Sequence, residues 1–325
     1  MEYRRLGASG LSVSEISYGN WLTHSGGADR VAAALDAGIT TFHTAAAWGG
    51  GAAEEALGTA LAGARRDDLV LCTGVFWPEG SGPNDAGLSR KHLVTSLHGS
   101  LRRLGTDHID VYQLLRFDYR TPLEETFLAL SDLVRQGKIL YVGTAEWTAD
   151  QLLQASTLAR RFDVPLIANQ PHYSMLWRVA EAQVMPVCAR EGIGQFASVA
   201  LAQGVLTGKY RPGHIPPGSR AAVPGDARKA VSPLLMPDLL ERVALLRGVA
   251  DEAGLTMAQL ALAWTLQHYT VASVVAGASS PDQVTENAKA SGVSLDLDVL
   301  TQVDQLLGSF VQTDPRLTWS PPANM

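Results

Sequence analysis

Eight short apolar runs, each followed by a segment whose hydrophobic residues keep helical spacing, constrain this chain more than any other feature. The runs fall at residues 16–20, 39–43, 69–74, 109–115, 139–145, 165–170, 194–200 and 271–276. Between them, Leu93, Leu97, Leu101 and Leu104 recur at helical intervals, as do Leu123, Phe127, Leu130 and Val134. Further helices are expected over 31–37, 52–61 and 180–190. Thr121-Pro122-Leu123-Glu124 and Thr148-Ala149-Asp150-Gln151 read as capping boxes, and Ser280-Pro281-Asp282-Gln283 caps the helix after the eighth run. Alternating strand and helix without a break in composition implies an α/β fold with parallel strands. Eight such units imply a (β/α)8 TIM barrel, one domain over residues 1–325. Two additions are expected: a hairpin from residues 3–6 and 11–13, and an extra C-terminal helix carrying Val299, Val303, Leu306 and Leu307. The Gly/Pro loop from about 203 to 232 reads as a lid or clasp.

Composition excludes several classes. The net charge of -6 provides no basic stripe, so no nucleic-acid partner is expected. Cys72 and Cys188 are the two cysteines, which implies no disulfide framework and fits a reducing cytoplasm. Residues 1–5 lead into no apolar run, and no stretch approaches 18 apolar residues, so neither a signal peptide nor a membrane span is expected. No Gly-x-Gly-x-x-Gly follows a strand, and no metal-ligand spacing accompanies His43.

Chemistry in such barrels sits on the C-terminal ends of the strands. His43 ends the second run, and Trp48 sits in the Gly-rich turn behind it, ahead of Glu54 and Glu55 in the next helix. His titrates nearest neutrality, so His43 is the candidate acid or base; it can equally fill space and pair with a neighbour. Trp21, Trp48, Phe76, Trp77, Phe117 and Trp147 all fall just after strands. They imply an aromatic-walled pocket for a hydrophobic small molecule. His24 and His172 lie on loops at the same end and read as loop residues.

Three segments carry a family resemblance: Arg5-Leu6-Gly7-x-Ser9-Gly10-Leu11-x-Val13, Leu201 to Tyr210 (LAQGVLTGKY), and Gly277-Ala278-Ser279-x-Pro281-x-Gln283-x-x-Glu286-Asn287. Over residues 3–307 the chain resembles the aldo-keto reductases, and within them the bacterial relatives of potassium-channel beta subunits. The resemblance implies a catalytic tetrad of Asp, Tyr, Lys and His; the matching positions here are His43, Trp48, Gly74 and Leu115. In the family the Tyr protonates the developing alkoxide, tuned by the Lys and helped by the His. An indole, a glycine and a leucine supply none of this.

The resemblance also implies NADP(H) as cofactor. Lys209, Ser219 and Arg220 match the pyrophosphate and 2′-phosphate side, Gly277, Ser279, Gln283, Glu286 and Asn287 the adenine side, and Leu201 and Gly204 count among the cofactor-binding positions. Gln283 has a second explanation as the third residue of a capping box. Trp21 and Gln170 remain on the nicotinamide side, where Ala145-Glu146 and Ser198 replace the family's usual residues. Family geometry puts Glu146 in one cavity with His43, as a partner or as a solvated carboxylate. Arg116 and Asp118 keep the family's Arg-x-Asp spacing and read as structural. The leading expectation is non-redox acid/base chemistry (dehydration, cyclisation or isomerisation) on a hydrophobic molecule, with any NADP(H) structural. The alternatives are a silent NADP(H)-binding sensor or partner subunit, and a reductase with an unusual acid. The oligomeric state is open.

Overall fold

Inward and outward side chains alternate along each strand, and that alternation sorts the apolar residues into two cores. The computed structural model describes residues 1–21, 27–318 and 320. A hairpin, β1 (Tyr3–Arg5) and β2 (Ser12–Ser14), pairs antiparallel with Arg4 opposite Val13. The barrel strands are β3 (Ile16–Gly19), β4 (Thr41–His43), β5 (Val70–Val75), β6 (Ile109–Leu114), β7 (Ile139–Ala145), β8 (Leu166–Gln170), β9 (Gly194–Ser198) and β10 (Val271–Ala276). They run parallel in sequence order and close, β10 pairing with both β9 and β3. The helices are α1 (Ala28–Asp36), α2 (Ala52–Leu61), α3 (Arg90–Leu104), α4 (Leu123–Arg135), α5 (Ala149–Arg161), α6 (Val184–Glu191), α7 (Asp226–Val231), α8 (Pro237–Glu252), α9 (Met257–Leu266), α10 (Pro281–Ala288) and α11 (Leu297–Leu307).

The outer core lies between sheet and helices and takes Tyr18, Phe42, Leu71, Tyr112, Leu114 and Val142. The inner core takes Val70, Cys72, Val111, Ala168, Phe196 and Ala272, with Leu6 and Val13 of the hairpin segment among them. The hairpin therefore plugs the N-terminal end, leaving the C-terminal end as the mouth. The (β/α)8 barrel, the hairpin and the C-terminal helix α11 are present as expected. No helix among the described residues is long and apolar enough to cross a membrane.

Two details differ from the sequence reading. The capping box at Thr121 does not form: Pro122 occupies the cap of α4, and Thr121 Oγ1 instead donates to Asp118 Oδ2 at 2.7 Å. Asp118 also accepts from the backbone N–H groups of Leu88 and Arg120, so its carboxylate outcompetes the helix end. The box at Thr148 and Gln151 does form. The stretch 233–270, outside the eightfold pattern, contributes α8 and α9 before β10.

The plug rests on one close backbone approach. Gly7 has φ +59°, and a Cβ there would lie 2.2 Å from Gly192 O and 2.6 Å from Gly194 N. Gly7→Ala should therefore lower the unfolding free energy by about 2–4 kcal/mol. Urea denaturation measures this, and an unchanged midpoint would show that the plug is not needed.

Candidate functional site

His43 ends β4 with its ring inside the barrel, edge-on to Phe196 at 4.6 Å between centroids. The side chain is 1% exposed, and neither ring nitrogen has a well-aligned hydrogen bond among the described residues. Burial pushes its pKa down to about 3, partly opposed by the neighbouring Gln113 side chain. At neutral pH the group is therefore a neutral imidazole. No hydrogen bond or ion pair among the described residues joins it to Glu146.

Above His43 the floor of the mouth is apolar. A Cβ on Gly74 would lie 2.6–2.8 Å from Cδ2, Cγ and Cδ1 of Leu115, so Leu115 occupies the volume a side chain at position 74 would need. Ala45, Leu115 and Ala145 form this floor, with Trp48, Phe76 and Trp77 packed against it. Trp48 opens a turn in which Gly49, Gly50 and Gly51 have φ of 61°, 63° and 96°, a path that favours glycine. Phe76 and Trp77 meet edge to face at 5.1 Å, and the Arg116 guanidinium lies 5.5 Å over the Trp77 ring. Phe117 packs edge-on against Trp147 at 4.9 Å. Trp147 is fully buried. With Glu146, Asn169, His172 and Thr318 it lines a cavity of about 10 Å³, the size of one water. Trp21, at the rim, is 37% exposed. His24 lies outside the described residues.

Glu146 follows β7 with φ 59°, a strained conformation for a non-glycine residue and one that clusters at functional sites. Its Oε1 accepts from the His172 backbone N–H at 2.6 Å. Arg116 is close enough for its charge to be favoured by Glu146, although burial dominates and lowers the Arg116 pKa. Ser320 Oγ accepts from Phe117 N at 3.0 Å and donates to Glu146 O at 3.3 Å, so Ser320 bridges the ends of β6 and β7 at this edge of the mouth.

A clasp closes the opposite edge. After β9 the chain turns through Val199, Ala202, Gln203 and Gly204 with φ of 60°, 45°, 58° and 94°. Leu201 O anchors this turn by accepting from Gly204 N at 2.8 Å and Leu206 N at 3.2 Å. Arg220 donates to Gln203 Oε1, and a Cβ on Gly204 would lie 3.0 Å from Lys209 Nζ. One turn thus gathers two cations. The Lys209 pKa is lowered by partial burial and then by the Arg220 charge. Neither cation forms an ion pair with a carboxylate among the described residues. The hydroxyl of Ser219 is buried without a hydrogen bond, and Arg220 Nη2 lies 3.8 Å from where a Gly277 Cβ would stand. Adjacent cations, an unspent hydroxyl and a bare glycine backbone fit a phosphate group.

The adenine-side positions have mixed surroundings. Gln283 Oε1 accepts from Ser279 N at 2.9 Å and Ser279 Oγ at 3.0 Å, while Ser280 Oγ caps α10. Gln283 therefore stiffens the turn and does not complete a capping box. Glu286 O accepts from Gln259 Nε2, and Asn287 is buried. On the nicotinamide side Gln170 is half-buried, and Ser198 Oγ donates to Pro171 O at 3.0 Å. Gln203 was not singled out from the sequence. Its place next to Gly204, inside the segment LAQGVLTGKY, was the available signal.

A model of the aldo/keto reductase family matches residues 15–307. A rice (Oryza sativa subsp. japonica) protein named as a probable voltage-gated potassium channel subunit beta is 41% identical, across 98% of this chain and 99% of its own. An Arabidopsis thaliana protein of the same name is 41% identical, across 95% of this chain and 97% of its own. L-glyceraldehyde 3-phosphate reductase of Escherichia coli (strain K12) is 36% identical, across 94% of this chain and 92% of its own.

The floor generates two expectations. Gly74→Lys alone should cost about 1–3 kcal/mol by overpacking against Leu115. Adding Leu115→Ala should recover most of that in urea denaturation; a Gly74→Lys protein as stable as the parent would show that the volume is free. His43 is neutral when folded and protonates more readily when unfolded, so stability should fall as pH drops below 6.5 and level off near 3. His43→Gln should flatten the thermal midpoint across that window, and an unchanged profile would show that His43 does not cause the loss.

Proposed function

The chain belongs to the aldo/keto reductase family, and we propose that it is a nucleotide-holding member: it binds NADP(H) in the β9–β10 clasp but lacks the family's proton relay at the mouth. The observation that carries this reading is the pairing of Lys209 with Arg220 beside Gly277, with no carboxylate bonded to either among the described residues. Arg220 would meet a phosphate with its planar fork and Lys209 as a point charge, and the buried Ser219 hydroxyl would add a hydrogen bond. NADPH, when bound, supplies a hydride donor.

Proton delivery is the weak half. The relay positions hold His43, Trp48, Gly74 and Leu115. Trp48 has no titratable proton, Leu115 fills the space beside Gly74, and His43 is neutral beneath that apolar floor. General acid catalysis is worth roughly 10²–10⁴-fold, so carbonyl reduction by the family's route should be slower by at least that factor. The plant relatives carry channel-subunit names and the bacterial one a reductase name. For this chain the reading is a sensor or partner subunit whose mouth takes a hydrophobic small molecule. The two buried free thiols, Cys72 and Cys188, suit a reducing compartment such as the cytoplasm.

A second reading, non-redox acid/base chemistry at the same mouth, rests on the strained Glu146 beside Arg116. Glu146 carries it better than His43, whose lowered pKa leaves it a weak base.

Quenching of protein fluorescence by NADPH tests the clasp. Submillimolar affinity is expected, with Arg220→Ala weakening it at least about tenfold, the worth of one charge-assisted phosphate contact. Absence of binding would contradict the reading. An NADPH-oxidation assay over aromatic aldehydes and quinones should stay at background, and turnover at ordinary reductase rates would overturn it.

A further inference from the structure

The aromatic wall of the mouth hangs on a loop, residues 76–88, between β5 and α3, and α3 grips both parts of that loop through one histidine. His92 is 3% exposed. Its Nδ1 lies 2.9 Å from the carbonyl oxygen of Gly87, and its Nε2 lies 3.4 Å from Oε1 of Glu79. A carbonyl only accepts, so Nδ1 must carry a proton. The facing Nε2 is buried without a well-aligned hydrogen bond among the described residues, and at 3.4 Å from a carboxylate it gains an electrostatic partner when it too is protonated. An imidazolium is the one form of His92 that suits both neighbours.

Both neighbours belong to the wall. Gly87 N donates to Phe76 O at 2.8 Å, closing the loop on the residue next to Trp77. Glu79 N donates to Asp85 O at 2.9 Å, which ties the tip of the loop to the same group. The Glu79 carboxylate is fixed to α3 a second time, by Ser96 Oγ at 2.5 Å, and lies 3.8 Å from Arg103 Nη2. Arg103 is in turn held by Glu54 of α2 at 2.7 Å.

We propose that His92 is a positioning residue: as an imidazolium it clamps the 76–88 loop to α3 and so holds Phe76 and Trp77 against the floor of the mouth. The groups facing the clamp are Glu79 and Asp85 on the loop, Arg103 on α3, Glu54 on α2, Asp118 after β6, and Tyr112 on β6. Burial works against the charged ring, but Glu79, the Gly87 carbonyl and Asp85 outweigh it, and the His92 pKa is raised from its ordinary 6.5. Above its midpoint the ring keeps the Gly87 bond and turns a lone pair toward the Glu79 carboxylate. The contact changes from attractive to repulsive, and the wall loosens as pH rises. This goes beyond the proposed function and holds whether or not the clasp takes a nucleotide.

The test combines an NMR titration of His92 in the intact protein, assigned with His92→Gln, with hydrogen exchange of the 76–88 amides across the same pH range. The expected result is a midpoint above 6.5, with loop protection, corrected for intrinsic exchange, falling through that midpoint. Glu79→Gln should move the midpoint below that of the parent and erase the pH step, because burial is then opposed by less. His92→Gln, which donates but does not titrate, should leave protection independent of pH. A His92 midpoint at or below the ordinary value overturns the proposal, as does loop protection that does not change across the midpoint. If His92→Gln does not fold, the parent and Glu79→Gln titrations decide alone.

Discussion

A volume constraint governs the mouth of this barrel: no side chain can leave Gly74 while Leu115 lies across it. Gly74 on β5 and Leu115 just after the end of β6 meet in the same volume, so what one occupies the other forgoes. Because the pair is filled by a leucine, the floor is apolar. Because the floor is apolar and closed, His43 beneath it is desolvated and neutral. The charge that a hydride-transfer site needs for proton handling is missing for packing reasons as much as for chemical ones.

The two edges of the mouth are built on different physics. On the β9–β10 side, a turn of left-handed residues collects Lys209 and Arg220 where their mutual repulsion has no carboxylate bonded to offset it. An arrangement of that kind is stabilised by an anion. On the β6–β7 side, Glu146 is held by the His172 backbone and lies near Arg116, while Ser320 donates to its carbonyl oxygen. Between them stands an aromatic wall that packs on the floor and whose loop is tied, through His92 and Glu79, to α3 and from there through Arg103 to α2. A barrel of this kind can keep the means of holding a nucleotide while the chemistry at its centre changes, since separate elements carry the two.

The barrel was legible in the sequence because strand and helix periodicities alternate cleanly, and α2 begins and ends where its pattern says. The clasp was legible as a Gly/Pro loop carrying Lys209 and Arg220. Other features depend on contacts that spacing does not encode. Gly74 and Leu115 are 41 positions apart in the numbering, and the parallel pairing of β5 with β6 brings them together. Trp147 follows a strand like the other aromatics, yet the left-handed turn at Glu146 accompanies its full burial. Thr121 has the sequence of a capping residue, but Asp118 three positions earlier takes its hydroxyl. His92 gave no signal at all, since its meaning lies in two acceptors that a folded loop sets on either side of it.

The central claim is that nucleotide binding and hydride chemistry are separated in this barrel. The most direct measurement is a single mixing experiment, with protein in excess over NADPH and an aromatic aldehyde present, following protein fluorescence and nicotinamide absorbance together. The account predicts fluorescence quenching that saturates while the absorbance holds steady. Absorbance that falls in step with the quench, or no quench at all, would contradict it.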